Sequence, residues 1–148
     1  GRIRADLAPD AYLALVRAHE CLSAGAAALF KGSGLTPATY NVLRVLRGAG
    51  DCGLPCHVVA ERLVNRVPDV TRLLDRMERD GLVHRERSEV DRRVVLAFLT
   101  ADGRSRVDAL DEPVIALHAG QFEGLTEREF EVLLDVLERL SGVVPEAD

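Results

Sequence analysis

Residues 70–81 constrain this chain more than any other stretch. Val70, Leu73, Leu74 and Met77 stand at i, i+3, i+4 and i+7, with Arg72, Arg76 and Arg79 between them. At about 100° per residue, the four apolar side chains form one narrow stripe and the three arginines fall opposite it. A helix patterned this way docks one face on a core and presents the other as a cationic surface. Pro68 suits its first turn and Asp80-Gly81 its end, because proline has no N–H to lose there and glycine takes a left-handed cap without steric cost. The expected helix has about 13 residues and is roughly 20 Å long.

A hairpin is expected next. Leu82 and Val83 are apolar, 84–87 polar, 88–91 turn-like, and 94–99 a continuous apolar run. This pattern predicts two strands with Asp91, Arg92 and Arg93 at or near the tip.

Upstream, 10–30 is alanine-rich, and Tyr12, Leu15, His19, Leu22, Ala26 and Leu29 keep a three-four spacing. This predicts a long first helix, stopped by the Lys-Gly-Ser-Gly run at 31–34. Thr36 is a good N-cap, Pro37 fits the first helical position and Leu35 is placed to staple onto Tyr40, so a second helix is expected to about Arg47. After the glycine-rich break at 48–53, residues 54–63 read as a short third helix with Val59, Ala60 and Leu63 facing inward. Downstream, Thr100 caps a helix carrying Val107, Leu110, Val114 and Leu117, which Pro113 should bend or interrupt. In the last helix Thr126 and Glu129 form a capping box, Leu125 staples onto Phe130, and Leu133, Leu134, Leu137 and Leu140 make the apolar face.

Length and composition fit one ordinary folded domain: 148 residues, 47% hydrophobic. No run approaches about eighteen consecutive apolar residues, the N-terminus lacks a signal-peptide layout, and three cysteines do not suggest a secreted disulfide framework. A cytoplasmic protein with no membrane partner is expected. A net charge of −5 looks unsuited to binding polyanions, but its distribution is uneven. Residues 62–93 hold nine arginines against seven acids, whereas the rest of the chain holds ten basic residues against seventeen acids. Among the 19 basic residues only Lys31 is not arginine, and the guanidinium fork matches phosphate and guanine edges.

Two short helices, the second with an arginine face, followed by an arginine-tipped hairpin, match how a winged helix-turn-helix grips B-form DNA: the helix enters the major groove and the wing an adjacent minor groove. Two stretches sharpen this reading. Residues 70–83 (Val-Thr-Arg-Leu-Leu-Asp-Arg-Met-Glu-Arg-Asp-Gly-Leu-Val) and 91–100 (Asp-Arg-Arg-Val-Val-Leu-Ala-Phe-Leu-Thr) resemble the MarR family of bacterial transcription regulators. The family's wing pattern, Asp-x-Arg, five residues, then Leu-Thr, is met by Asp91, Arg93, Leu99 and Thr100.

The resemblance implies a mainly α fold with a small β-wing: a winged helix-turn-helix plus N- and C-terminal dimerisation helices. All of 1–148 would form one domain, with 35–99 as DNA-binding core and 10–31 and 101–141 as dimerisation helices. It also implies a homodimeric repressor on a pseudo-palindromic double-stranded operator, with half-sites about 10 base pairs apart. DNA contacts are expected from Arg66, Thr71, Arg72, Arg76, Arg79, Asp91, Arg92 and Arg93, with Asp91 orienting the wing arginine. Arg66, Val67 and Pro68 occupy a turn where the family usually has a serine or threonine cap. Asp69 there suits the helix dipole but opposes a phosphate.

A small-molecule effector, of the aromatic-acid kind, would lie near Arg17, His19, Tyr40 and Arg44 by the same resemblance. An oxidant signal would act through Cys56, near a helix N-terminus, or Cys21. Cys52, Cys56 and His57 lack the second pair that a zinc site needs, and no metal or cofactor is expected. No phosphate-binding glycine loop, Gly-x-Ser-x-Gly or His-Glu-x-x-His motif points to an enzyme. The alternative is a winged-helix protein-interaction module without sequence-specific DNA binding.

Overall fold

The structure, a computed structural model, describes residues 4, 6–64 and 67–142. It divides into two compact units, Gly1–Val114 and Ile115–Asp148. The first begins with α1 (Ala8–Ser33), which outlasts the stop predicted at 31–34. The Ser33 hydroxyl donates to the Phe30 carbonyl (2.8 Å) and accepts from the Leu35 N–H (3.3 Å), and Gly34 alone takes the left-handed cap (φ 73°). By length and apolar content α1 would also suit a membrane crossing, but Arg17, His19 and Glu20 break its apolar run and Phe30 near its end is buried in the core.

Helix α2 (Pro37–Gly48) starts as its sequence predicts: the Thr36 hydroxyl accepts from the Thr39 N–H at 3.1 Å, and Leu35 and Tyr40 are both buried. The next element differs from expectation. Leu54–Pro55 is a short strand, β1, and helix α3 spans only Cys56–Arg62. Pro55 has no N–H and sits in extended backbone (φ −54°, ψ 138°), and β1 finds its partner more than forty residues away. In α3, Val59 is fully buried and Leu63, just beyond it, is half-buried, while Ala60 points outward. Ahead of β1, Gly53 (φ 64°) is held to glycine twice over, because a Cβ there would lie 2.6 Å from the Phe98 ring.

After α4 (Val70–Arg79), β2 (Val83–Arg87) and β3 (Val95–Leu99) form the predicted hairpin, paired from Val83↔Leu99 to Arg87↔Val95. β1 adds to the far edge of β3, giving an antiparallel sheet of order β1-β3-β2. One core joins Phe30 of α1, Val42, Leu43 and Leu46 of α2, Val59, then Leu73, Leu74 and Met77 of α4, then Leu82, Val83 and Ala97, and finally Val107 and Leu110 of α5 (Ala101–Phe122).

Two polar devices fix α5 within this unit. The Arg47 guanidinium donates to Asp108 (2.6 Å) and, bidentately, to Asp111 (2.7 and 2.9 Å), which lowers the Asp111 carboxyl below its usual range. Thr100 caps α5 by accepting from the Gly103 N–H (3.0 Å), and its hydroxyl hydrogen faces the Gly81 (2.6 Å) and Leu82 (3.0 Å) carbonyls. Pro113 does not interrupt the helix.

In the second unit α6 (Glu127–Ser141) has the predicted capping box, and Phe130 meets Phe122 edge-on with centroids 5.4 Å apart. Of its expected apolar face Leu133 is half-buried, whereas Leu134, Leu137 and Leu140 are exposed, as are Tyr12, Leu13, Leu15 and Val16 on α1.

Candidate nucleic-acid interface

Helix α4 is anchored by Leu73, Leu74 and Met77, all buried, with Val70 half-buried beside them. It begins two residues after Pro68, contrary to expectation, because Asp69 takes the N-cap: its Oδ1 accepts from the Arg72 N–H at 2.9 Å. Ten residues make it about 15 Å long. Thr71, Arg72, Arg76 and Arg79 are exposed. Arg72, Arg76 and Arg79 line an open groove of about 500 Å³ with Val67, Pro68, Asp69 and Asp75. Arg66 lies outside the described residues.

Surface ion pairs along the helix, such as Arg72–Asp75 and Arg76–Asp80, would have neutralised this face. Among the described residues neither pair forms. Arg72, its side chain 85% exposed, meets Asp69 instead (3.3 Å), and among the described residues Arg76 has no acidic partner. For Asp75 the reason is Arg85 on β2, which sequence reasoning passed over as one polar residue in a polar run. Its guanidinium takes Asp75 at 2.5 Å and Glu78 at 2.8 and 3.1 Å, and its backbone N–H donates to Glu78 at 2.9 Å. The hydrogen bonds from Arg85 lower the Glu78 carboxyl and in turn raise Arg85. Two acids of the recognition helix are thereby drawn toward the wing, and the outer arginines stay exposed, Arg72 with only its surface pair to Asp69 and Arg79 with a 3.5 Å bond to the Asp75 carbonyl. The only signal in the sequence was that Asp75 and Glu78 share a face at i, i+3 and need a cation.

At the wing tip, Asp91 accepts from the Arg93 backbone N–H (3.0 Å) and from Nε and Nη2 (both 3.1 Å), and this pairing lowers its carboxyl. The Arg93 side chain is 91% exposed, so the pair orients the guanidinium without hiding it. Arg87 holds the loop from the strand side by donating to the Arg92 carbonyl at 2.9 Å. Arg92 is exposed.

Asp69 is the feature least suited to a polyanion. Asp69→Asn keeps an equally good cap, so stability should change by less than about 0.5 kcal/mol, while one negative charge leaves the groove. Affinity for duplex DNA should then rise by about 0.5–1 kcal/mol at low salt. Parallel titrations of both proteins with one duplex at two salt concentrations test this, and equal affinities would place Asp69 away from phosphate.

The four effector candidates are only partly gathered. Tyr40 is buried against Phe30 (centroids 4.8 Å apart), with Arg44 over its ring at 5.8 Å. Arg17 and His19 are exposed on α1, where the His19 ring lies 3.4 Å from the Ser23 hydroxyl. Cys56 opens α3 as expected, but burial pushes its thiol up rather than down, with Arg85 opposing only in part. Cys21 and Cys52 are exposed.

Comparison with known proteins bears on the family and the fold. The profile of the MarR family matches residues 33–94. The chain is 31% identical over 133 residues to the helix-turn-helix-type transcriptional regulator YkoM of Bacillus subtilis, covering 89% of this chain and 84% of that protein. A MarR transcription factor structure from Planctomyces limnophilus is 36% identical, with a TM-score of 0.71, 89% of this chain covered and 96% of the other. The structure of Bordetella bronchiseptica BpsR, described as regulated in its DNA binding by 6-hydroxynicotinic acid, is 27% identical, with a TM-score of 0.78 and coverage of 90% and 91%.

Proposed function

The chain belongs to the MarR family of transcriptional regulators, and from that premise we propose that it acts in the cytoplasm as a homodimeric repressor reading a pseudo-palindromic operator. The observation that carries this reading is the charge arrangement on α4: Asp75 and Glu78 are bound by Arg85, leaving Arg72, Arg76 and Arg79 on an open groove. Arg72, Arg76 and Thr71 meet base edges and phosphates in the major groove, Arg79 and Arg66 serve the backbone, and Arg93, set by Asp91 and aided by Arg92, enters the minor groove. The exposed apolar residues of α1 and α6 supply the dimer contact. A small aromatic acid-like effector or an oxidant relieves binding. A relative controlled by a hydroxylated pyridine acid supports the first route, with Arg44, held over the Tyr40 ring, as the residue placed to meet its carboxylate.

Selection of bound duplexes from a random pool, at a stated salt concentration, tests the reading. A recovered palindrome with half-sites about one helical turn apart is the expected result. Val90, 97% exposed beside the wing tip, is the observation that favours a protein-contact module instead. Recovery of no motif at moderate salt would decide for that alternative.

A further inference from the structure

Asn41 and Arg44 of α2 and Arg62 at the end of α3 converge, with Val45 and Val64, on a concavity of about 230 Å³. Two guanidinium groups and one amide supply donors from two elements. Among the described residues neither Arg44 nor Arg62 pairs with an acid. The contrast with Arg47, one turn along α2, is direct: Arg47 is saturated by Asp108 and Asp111, and Asp111 reaches Arg44 only as a longer-range charge. Arg44 is also steered, because its guanidinium lies over the Tyr40 ring. The volume is below the roughly 300 Å³ at which drug-sized pockets begin, so it suits a compact anion rather than a large aromatic ligand.

The geometry points to an oxyanion site at Asn41, Arg44 and Arg62 that takes a phosphate group by paired guanidinium hydrogen bonds. Its position gives it a consequence. Asn41 also lines the adjoining apolar concavity with Leu63, Val67 and Pro68, and Val67 and Pro68 in turn line the groove of the recognition helix. An anion held here sits one cavity away from the turn that launches α4. The phosphate is either a free small anion or the backbone of bound DNA, the latter resting on the DNA-binding reading above.

The test uses the full chain and the double variant R44M/R62M, with R44Q/R62Q as a second pair should the first fail to fold. Each is titrated with inorganic phosphate at constant ionic strength, followed by amide chemical shifts, and separately with the selected duplex at several salt concentrations. If the source is a free anion, wild type saturates with shifts at Asn41 and Val64, and the variants bind at least about tenfold more weakly. If the source is DNA, phosphate alone does not saturate, but the variants lose affinity uniformly across sequences and the magnitude of the salt slope falls by about 2. Unchanged phosphate and duplex titrations in the folded variants overturn the site. Wild type that binds no duplex at any salt removes the DNA reading alone, and the phosphate titration still decides the site.

Discussion

Replacing Arg72 and Arg93 with alanine should weaken binding to the selected operator by about 1–3 kcal/mol each, and by close to the sum in the double variant. The two side chains come from separate elements, α4 and the wing, and are 85% and 91% exposed, so neither substitution disturbs the core. Each leaves a former partner acid behind, Asp69 in the groove and Asp91 at the tip. That adds repulsion to the loss of contact, whereas the exposed ion pairs themselves contribute at most about 1 kcal/mol to folding. Thermal melts should therefore hardly move while affinity falls. Fluorescence anisotropy with operator and scrambled duplexes separates the roles: Arg72→Ala should lower discrimination between them if it reads bases, and Arg93→Ala should act most where the minor groove is narrow. Unchanged binding in both single variants would sink the assignment of this face.

Gly103→Ala should be the most damaging small substitution to stability. Gly103 is buried in the first turn of α5, and a Cβ there would strike the backbone carbonyl oxygen of Leu82. That carbonyl cannot retreat cheaply, because it accepts from the Thr100 N–H at 3.1 Å and faces the Thr100 hydroxyl at 3.0 Å. Either α5 moves off the hairpin or the hairpin moves off the core. A cost of about 3 kcal/mol, at the upper end for overpacking, corresponds to a melting temperature lower by on the order of 10 °C. Gly120→Ala is the control: it lies in the same helix with nothing within 4 Å of an added Cβ, so it should be neutral or stabilising by up to about 1 kcal/mol. Equal melts for the two variants would mean that the close approach at Gly103 imposes nothing.

Gly103 also shows where sequence reading loses its grip. Thr100 was legible as a cap because capping is local, a side chain closing onto an N–H three residues on. The glycine inside that same turn carries no local signal, since its reason, the Leu82 carbonyl, lies twenty-one residues back. Arg85 escaped notice in the same way: β2 turns it toward Asp75 and Glu78, and the pairing exists only once strand and helix are packed. Leu54 and Pro55 read as helix because their partners Ala97 and Leu96 lie beyond the recognition helix. Ala60 was assigned inward on helical spacing, but with the helix beginning only at Cys56 it turns outward.

The sequence by itself determined the order of the six helices and the hairpin strands, the caps at Thr36, Thr100 and Thr126, the buried stripe of α4 and the arginine-tipped wing. Each is encoded within about one turn of helix or one hairpin, where periodicity and turn chemistry act over a few residues. Tertiary structure alone decided which charges remained available. Asp75, Glu78, Asp108 and Asp111 are consumed by Arg85 and Arg47, while Arg72, Arg76, Arg44 and Arg62 stay open or nearly so. An ion pair is a contact in space with a range of a few ångströms, so a list of residues can count the charges but cannot say which of them cancel.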